Sequence, residues 1–417
     1  MQLKLSHLAS AFLIAASLST SANAQVVQVD TAHGIYYEAP LRSHMFVYSP
    51  SVTLTANPTD SVSIYGGWEA DIVSGASVST KAGPAYAATH PSLTPDVISA
   101  ATNLTDVRNV GKGGFTIKHD NTSFGGGGLY GSENDYHSIS FNVMARTELF
   151  EHNTQLQLDY AHNFDDVCDT VQNPNALPVA RVALPSSKGC FTDDKTKTAR
   201  DISIDSLQGS WSQAWTPVFQ TQAIYTLSVI HGFQSDPYRS VLIGEGVKAQ
   251  EYTPLDRMRQ AVALRANWYL RGFKGAMRLG LRGYRDSWNI YSGEVNLEIE
   301  KYFGPSFRAA INGRFYKQSG AIFWSDDYSG GNAPLGPKGQ YFTGDRELSP
   351  FFSVMAGVKL TWAFVAGDKK VLGFMNNFRF VAAANLIDFN YENFTLAGTP
   401  VNGTFAYLLN LGLSAGF

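Results

Sequence analysis

Between residues 257 and 314, arginines and glutamates recur at even-numbered spacings along four successive segments. The first carries Arg257, Arg259 and Arg265, and the second Arg278 and Arg282. The third carries Glu294, Glu298 and Glu300, and the fourth Arg308 and Arg314. Guanidinium and carboxylate groups in such a pattern have two uses. They lock a wall together as a ladder of ion pairs, since like charges stacked without partners are costly. They also line a watery passage and select solutes by charge. One wall can do both, and its arginine excess favours anions only weakly, because Glu69, Asp71, Glu148 and Asp159 occupy comparable positions elsewhere.

Other reactive groupings lead less far. Gly125-Gly126-Gly127-Gly128 has no following Lys-Ser/Thr and reads as a flexible loop rather than a phosphate cradle. Asp165-Asp166, Asp193-Asp194 and Asp326-Asp327 read as solvated loop charge rather than calcium ligands. The histidines show no metal-ligand spacing, so no metal site is expected. A hydrolase on the outer rim would need a nucleophile paired with His162 or His231, and nothing in the sequence pairs them. The expectation is a protein that is not an enzyme. Cys168 and Cys190 flank a polar, Pro-containing segment, which suggests one loop-closing disulfide.

Even spacing places side chains on one face of a strand, so the elements that carry these charges are β-strands. In the second segment Met277, Leu279 and Leu281 oppose the arginines, and in the third Val295, Leu297 and Ile299 oppose the glutamates. The same alternation recurs at Ser61–Ile72, Ser138–Arg146, Gln155–Tyr160 and Phe219–Leu227. A soluble sandwich also alternates. Here the apolar face is nearly free of charge in strand after strand, as expected for lipid outside and water inside.

Composition agrees. The 417 residues are 44% hydrophobic and 13% aromatic but only 16% charged, with 38 glycines. Lys and Arg number 32 against 35 Asp and Glu, a net charge of −3 that argues against nucleic-acid binding. Residues 1–24 read as a secretory signal peptide ending in Ala22-Asn23-Ala24, which leaves 25–417 as one domain. Beyond them no apolar run approaches the roughly 18 residues of a membrane helix. The predicted fold is therefore an all-β, transmembrane, antiparallel up-and-down barrel of about 14 strands, with roughly 12 or 16 also open. Short periplasmic turns are expected at 57–60, 150–153, 216–217, 271–273, 304–305 and 367–369. Long external loops are expected at 78–134, 166–200, 233–255, 321–345 and 392–402, the first folding into or over the lumen. Trp215, Trp268, Trp362, Phe364, Tyr302 and Phe303 lie near the tight turns and suit an interfacial girdle. The chain ends in alternating Phe405, Tyr407, Leu409, Leu411, Leu413, Ala415 and Phe417, which resembles the terminal strand that barrel-assembly machinery recognises.

Asp71-Ile72-Val73-Ser74-Gly75-Ala76-Ser77 resembles the motif on which flavin transferases attach FMN to a hydroxyl. By residue match Ser77 would accept the flavin and Asp71 would help position a metal-bound nucleotide. A turn of small residues at a strand end is the ordinary alternative. Asp106-Val107-Arg108, Glu133-Asn134-Asp135-Tyr136, Asp256-Arg257-Met258-Arg259 and Tyr284-Arg285-Asp286-Ser287-Trp288 extend a resemblance to an uncharacterised family of Gram-negative outer-membrane barrels. Its members often sit beside flavin-transferase and thioredoxin-like genes. That resemblance implies location and fold but no activity. Two functions follow as expectations: a channel or transport component for small solutes in outer-membrane lipid, or a non-conducting scaffold bearing covalent FMN for redox exchange.

Overall fold

The structure, a computed structural model, describes residues 27–38, 45–75, 105–184, 194–243, 247–326, 340–365, 370–392 and 403–417, with short pieces at 78–79, 98–99, 189, 191, 328, 394–396 and 399–400. The predicted leader, residues 1–24, lies outside them.

Sixteen antiparallel strands close into one barrel. In chain order they are β1 (Val27–Glu38), β2 (Met45–Thr59), β3 (Val62–Gly75), β4 (Thr105–His119), β5 (Thr122–Ser132) and β6 (Tyr136–Leu149). Next come β7 (Thr154–Thr170), β8 (Lys197–Thr216), β9 (Phe219–Gly232), β10 (Asp256–Leu270) and β11 (Gly275–Asp286). The series ends with β12 (Tyr291–Tyr302), β13 (Phe307–Gln318), β14 (Phe351–Val365), β15 (Asn377–Tyr391) and β16 (Thr404–Gly416). Each strand pairs with its sequence neighbour, and β1 closes on β16 from Gln28↔Gly416 to Glu38↔Ala406. The start of β1 and the end of β16 thus lie at one end, where Val27 and Val29 pack with Met375, Ala415 and Phe417.

The usual inside-out rule is reversed. Leu281, Val295, Ile311, Phe315 and Val358 are among many large apolar residues left exposed, Ile311 to 61%. They belong to the outward face of consecutive strands and form a hydrocarbon-facing belt, the pattern of an outer-membrane barrel. Closure leaves no unpaired edge, which the absence of water in a bilayer demands. Five of the six expected girdle residues, Trp215, Trp268, Trp362, Phe364 and Phe303, are exposed. Tyr302 is the exception. It pairs in register with Arg308 on the inward face, and that guanidinium lies 5.0 Å from its ring.

The expected long loop 78–134 is corrected in its second half, where β4 and β5 supply the two strands beyond fourteen. Alternation there is hidden by glycine, which shows no preference for a face. The glycines are nevertheless required: a Cβ on Gly114 or Gly127 would stand 2.7 or 2.6 Å from the Tyr65 hydroxyl. Tyr65 therefore lies across a glycine floor on the inner wall of β4 and β5. Phe115, Ile117 and Phe124 still face outward.

Candidate functional site

The four charged segments are β10 to β13, adjacent in the barrel as their spacing requires. Register puts Arg278 beside Asn267 and opposite Glu298, and Arg282 opposite Glu294, all on the face away from Leu279, Leu281, Val295 and Leu297. The ladder reading holds for part of this wall. Arg278 bonds Glu298 and reaches Glu300 at 3.0 Å, and Lys359 of β14 bonds Glu298 at 2.6 Å. Arg257 is held by Asp286, whose Oδ2 accepts from Nε at 2.9 Å, and by the Trp288 ring at 3.8 Å. Elsewhere the cations stand free. Among the described residues, no carboxylate lies within 4.0 Å of Arg259, Arg265, Arg282, Arg308 or Arg314. Arg265 donates only to Gln222, at 3.4 Å.

External segments pack above this wall. Over 340–350 the chain lies against the barrel end: Gln318 donates from Nε2 to the Ser349 carbonyl at 2.8 Å, and Arg346 sits over the Tyr391 ring at 5.5 Å. Arg346 then forms a two-point ion pair with Glu38, its Nη2 donating to Oε2 at 3.0 Å. Since Glu38 ends β1 and the segment leaves from β13, the chain reaches past β14, β15 and β16 to make that bond.

A second strap, 233–255, is fastened to the first. Tyr252 and Phe342 exchange backbone hydrogen bonds at 3.0 and 2.9 Å. One guanidinium, that of Arg239, serves Asp345 at 2.7 Å, Glu251 at 3.3 Å and Asp236 at 3.4 Å. Thr343 Oγ1 donates to Glu251 at 2.7 Å. Burial, together with the charges of Asp236 and Asp345, pushes the Glu251 carboxyl up to about 7, against the pull of Arg239. A third segment joins through Arg181, which donates to Gln250 at 2.7 Å, and Gln250 in turn donates to Asp169 at 2.8 Å. Phe323 and Phe342 are fully buried among these straps.

Periodicity could not reveal Glu38, Arg239, Glu251 or Arg346, because the decisive contacts join irregular segments far apart in the chain. The remaining expected positions are placed unevenly. Asp71 faces inward, accepting from Ser49 Oγ at 2.6 Å with Arg108 at 3.9 Å, while Ser77 lies outside the described residues. Cys168 is fully buried and no free cysteine occurs among the described residues, whereas Cys190 lies outside them. Each outer-rim histidine bonds an aspartate, His162 to Asp205 at 2.8 Å and His231 to Asp256 at 2.6 Å. Among the described residues, no serine hydroxyl bonds either ring.

The fold is that of a closed, sixteen-stranded, outer-membrane-type β-barrel. The chain belongs to the family described as "Protein of unknown function (DUF3570)", which it matches over residues 3–375. No curated protein matches it in sequence. A solved structure described as a bacterial polysaccharide outer membrane secretin aligns over 95% of this chain and 99% of its own, at 7% identity and TM-score 0.51. The outer membrane protein opdK from Pseudomonas aeruginosa aligns over 94% and 99%, at 8% identity and TM-score 0.40. OccD3 (OpdP) of the same organism aligns over 96% and 92%, at 9% identity and TM-score 0.42. At such identities the likeness is one of fold.

Proposed function

We propose that the protein is an outer-membrane channel for small polar solutes, with a charged lumen whose mouth is restricted by its external straps. One observation carries the reading. A closed barrel of sixteen strands turns Arg259, Arg265, Arg282 and Arg314 inward with no acidic partner within 4.0 Å among the described residues, and charges left unpaired in that way need water around them. A barrel of this size is wide enough to hold that water. The apolar belt supports the location in outer-membrane lipid, and β16 with its terminal Phe417 supports insertion through the barrel-assembly machinery. No catalytic group is assigned, and a disulfide from Cys168 to Cys190 is proposed to brace the 171–196 segment.

Purified protein in planar bilayers is expected to give discrete, ohmic current steps. Complete silence from protein with normal heat-modifiable gel mobility would overturn the channel. The scaffold reading is kept as a second proposal, since Asp71 to Gly75, the described part of the motif, ends β3. It predicts an intact mass raised by covalent FMN when a flavin transferase is present, and loss of that mass in Ser77→Ala. An unmodified mass from such a host removes it.

A further inference from the structure

A half-open cavity of about 220 Å³ lies on the inner wall beside the 340–350 strap. Its lining includes Arg257 and Tyr284, together with Arg282, Glu294 and Tyr316 from the wall and Glu347 from the strap itself. The strap is pinned there by Gln318, whose Nε2 donates to the Glu347 carbonyl at 2.9 Å.

The charges of this cavity are arranged unusually. Arg282 and Glu294 are direct ladder partners on β11 and β12. Opposite charges so placed ordinarily bond, as Arg278 and Glu298 do in the same pair of strands. Yet Arg282 and Glu294 form no ion pair within 4.0 Å, and Glu294 accepts instead from Asn296 Nδ2 at 3.2 Å. Arg257 is already satisfied by Asp286. The pocket therefore presents the Arg282 guanidinium, with no acidic partner within 4.0 Å among the described residues, together with two carboxylates, Glu294 and Glu347. Its formal charge is balanced, but the opposite signs are held apart.

A purely anionic solute would gain Arg282 and meet two carboxylates. A purely cationic one would gain the carboxylates and meet Arg282. Only a small molecule with both charges on one short skeleton satisfies both sides together. Building on the channel reading, we infer that this cavity is a luminal subsite for small zwitterions of the α-amino-acid type. The solute carboxylate takes the two donors of Arg282, its ammonium takes Glu294 and Glu347, and its side chain lies between the rings of Tyr284 and Tyr316. Bidentate guanidinium–carboxylate geometry makes Arg282 the orienting partner.

The test uses three solutes of one size, L-alanine, propionate and ethylammonium, at pH 7 with the full-length protein. Alanine is expected to reduce the single-channel current in a saturable way, with propionate and ethylammonium at least tenfold weaker. Arg282→Gln and Glu294→Gln, each checked by heat-modifiable mobility, are each expected to weaken the alanine effect at least tenfold. Propionate matching alanine, or alanine unaffected by both variants, overturns the subsite. The same solutes are titrated by calorimetry into the detergent-solubilised barrel. A silent bilayer with saturable alanine binding would then sink the channel and keep the pocket, and a conducting channel with no alanine binding would do the reverse.

Discussion

Replacing Arg346 with Met is expected to raise the mean open-channel current and the rate of backbone hydrogen exchange across 340–350. The Arg346–Glu38 pair is almost wholly buried, at 7% and 8% side-chain exposure. Losing one partner of such a pair leaves the other charge unpaired out of water, at a cost of about 3–5 kcal/mol. Part of that cost is relieved if the strap lets go of the wall. Since about 1.4 kcal/mol corresponds to a tenfold change, relief of half the cost or more should raise the population of the released state at least about tenfold. Conversely, the double variant Glu38→Gln with Arg346→Met removes both charges and should recover much of the docking, because no buried ion remains. The cycle of single and double variants isolates the pair term. An unchanged current in Arg346→Met would show that the strap does not limit the mouth.

That latch marks the limit of what periodicity can reveal. Strand-borne features were legible because lipid on one side and water on the other impose a two-residue repeat, as at Arg278–Leu279–Arg282 and Glu294–Val295–Glu298. Adjacency of β10 to β13 followed from the tight turns between some of them. Glycine removes the repeat at 111–114 and 125–128, so β4 and β5 look like loop; outward Phe115, Ile117, Phe124 and Tyr130 carry the remaining signal. Alternation also could not tell which inward charges would pair. Arg278 and Arg282 look equivalent in sequence, yet one bonds two glutamates and the other none among the described residues. Side-chain geometry at each register position decides that. The straps were invisible for a further reason: their fastening depends on which segments meet above the closed barrel, and only closure brings residue 38 to residue 346.

Docking of the two straps should weaken as pH rises through neutrality. The cause is the company that Glu251 keeps. Its Oε1 accepts from the backbone N–H of Asp236 at 2.6 Å, its Oε2 from Thr343 and Arg239, and the carboxylates of Asp236 and Asp345 share that same guanidinium. Burial of Glu251, with the charges of Asp236 and Asp345 sharing the one cation, leaves a proton more comfortable on it than none, which is why its carboxyl stands at about 7 rather than its ordinary 4.5. In the released strap Glu251 is hydrated and titrates near the ordinary value. The docked state therefore holds an extra proton between these two values, so its advantage is complete below about pH 4.5 and fades as pH passes 7. The full span is on the order of 3 kcal/mol. Hydrogen exchange of 233–255 and 340–348, corrected for intrinsic rates, should be about tenfold or more faster at pH 8 than at pH 5.5. Glu251→Gln keeps the acceptor for Thr343 without the titration, so it should flatten that difference while leaving the barrel's own exchange untouched. Equal protection of the wild-type straps at both pH values would mean that Glu251 keeps its charge across the range, with Arg239 alone balancing all three acids.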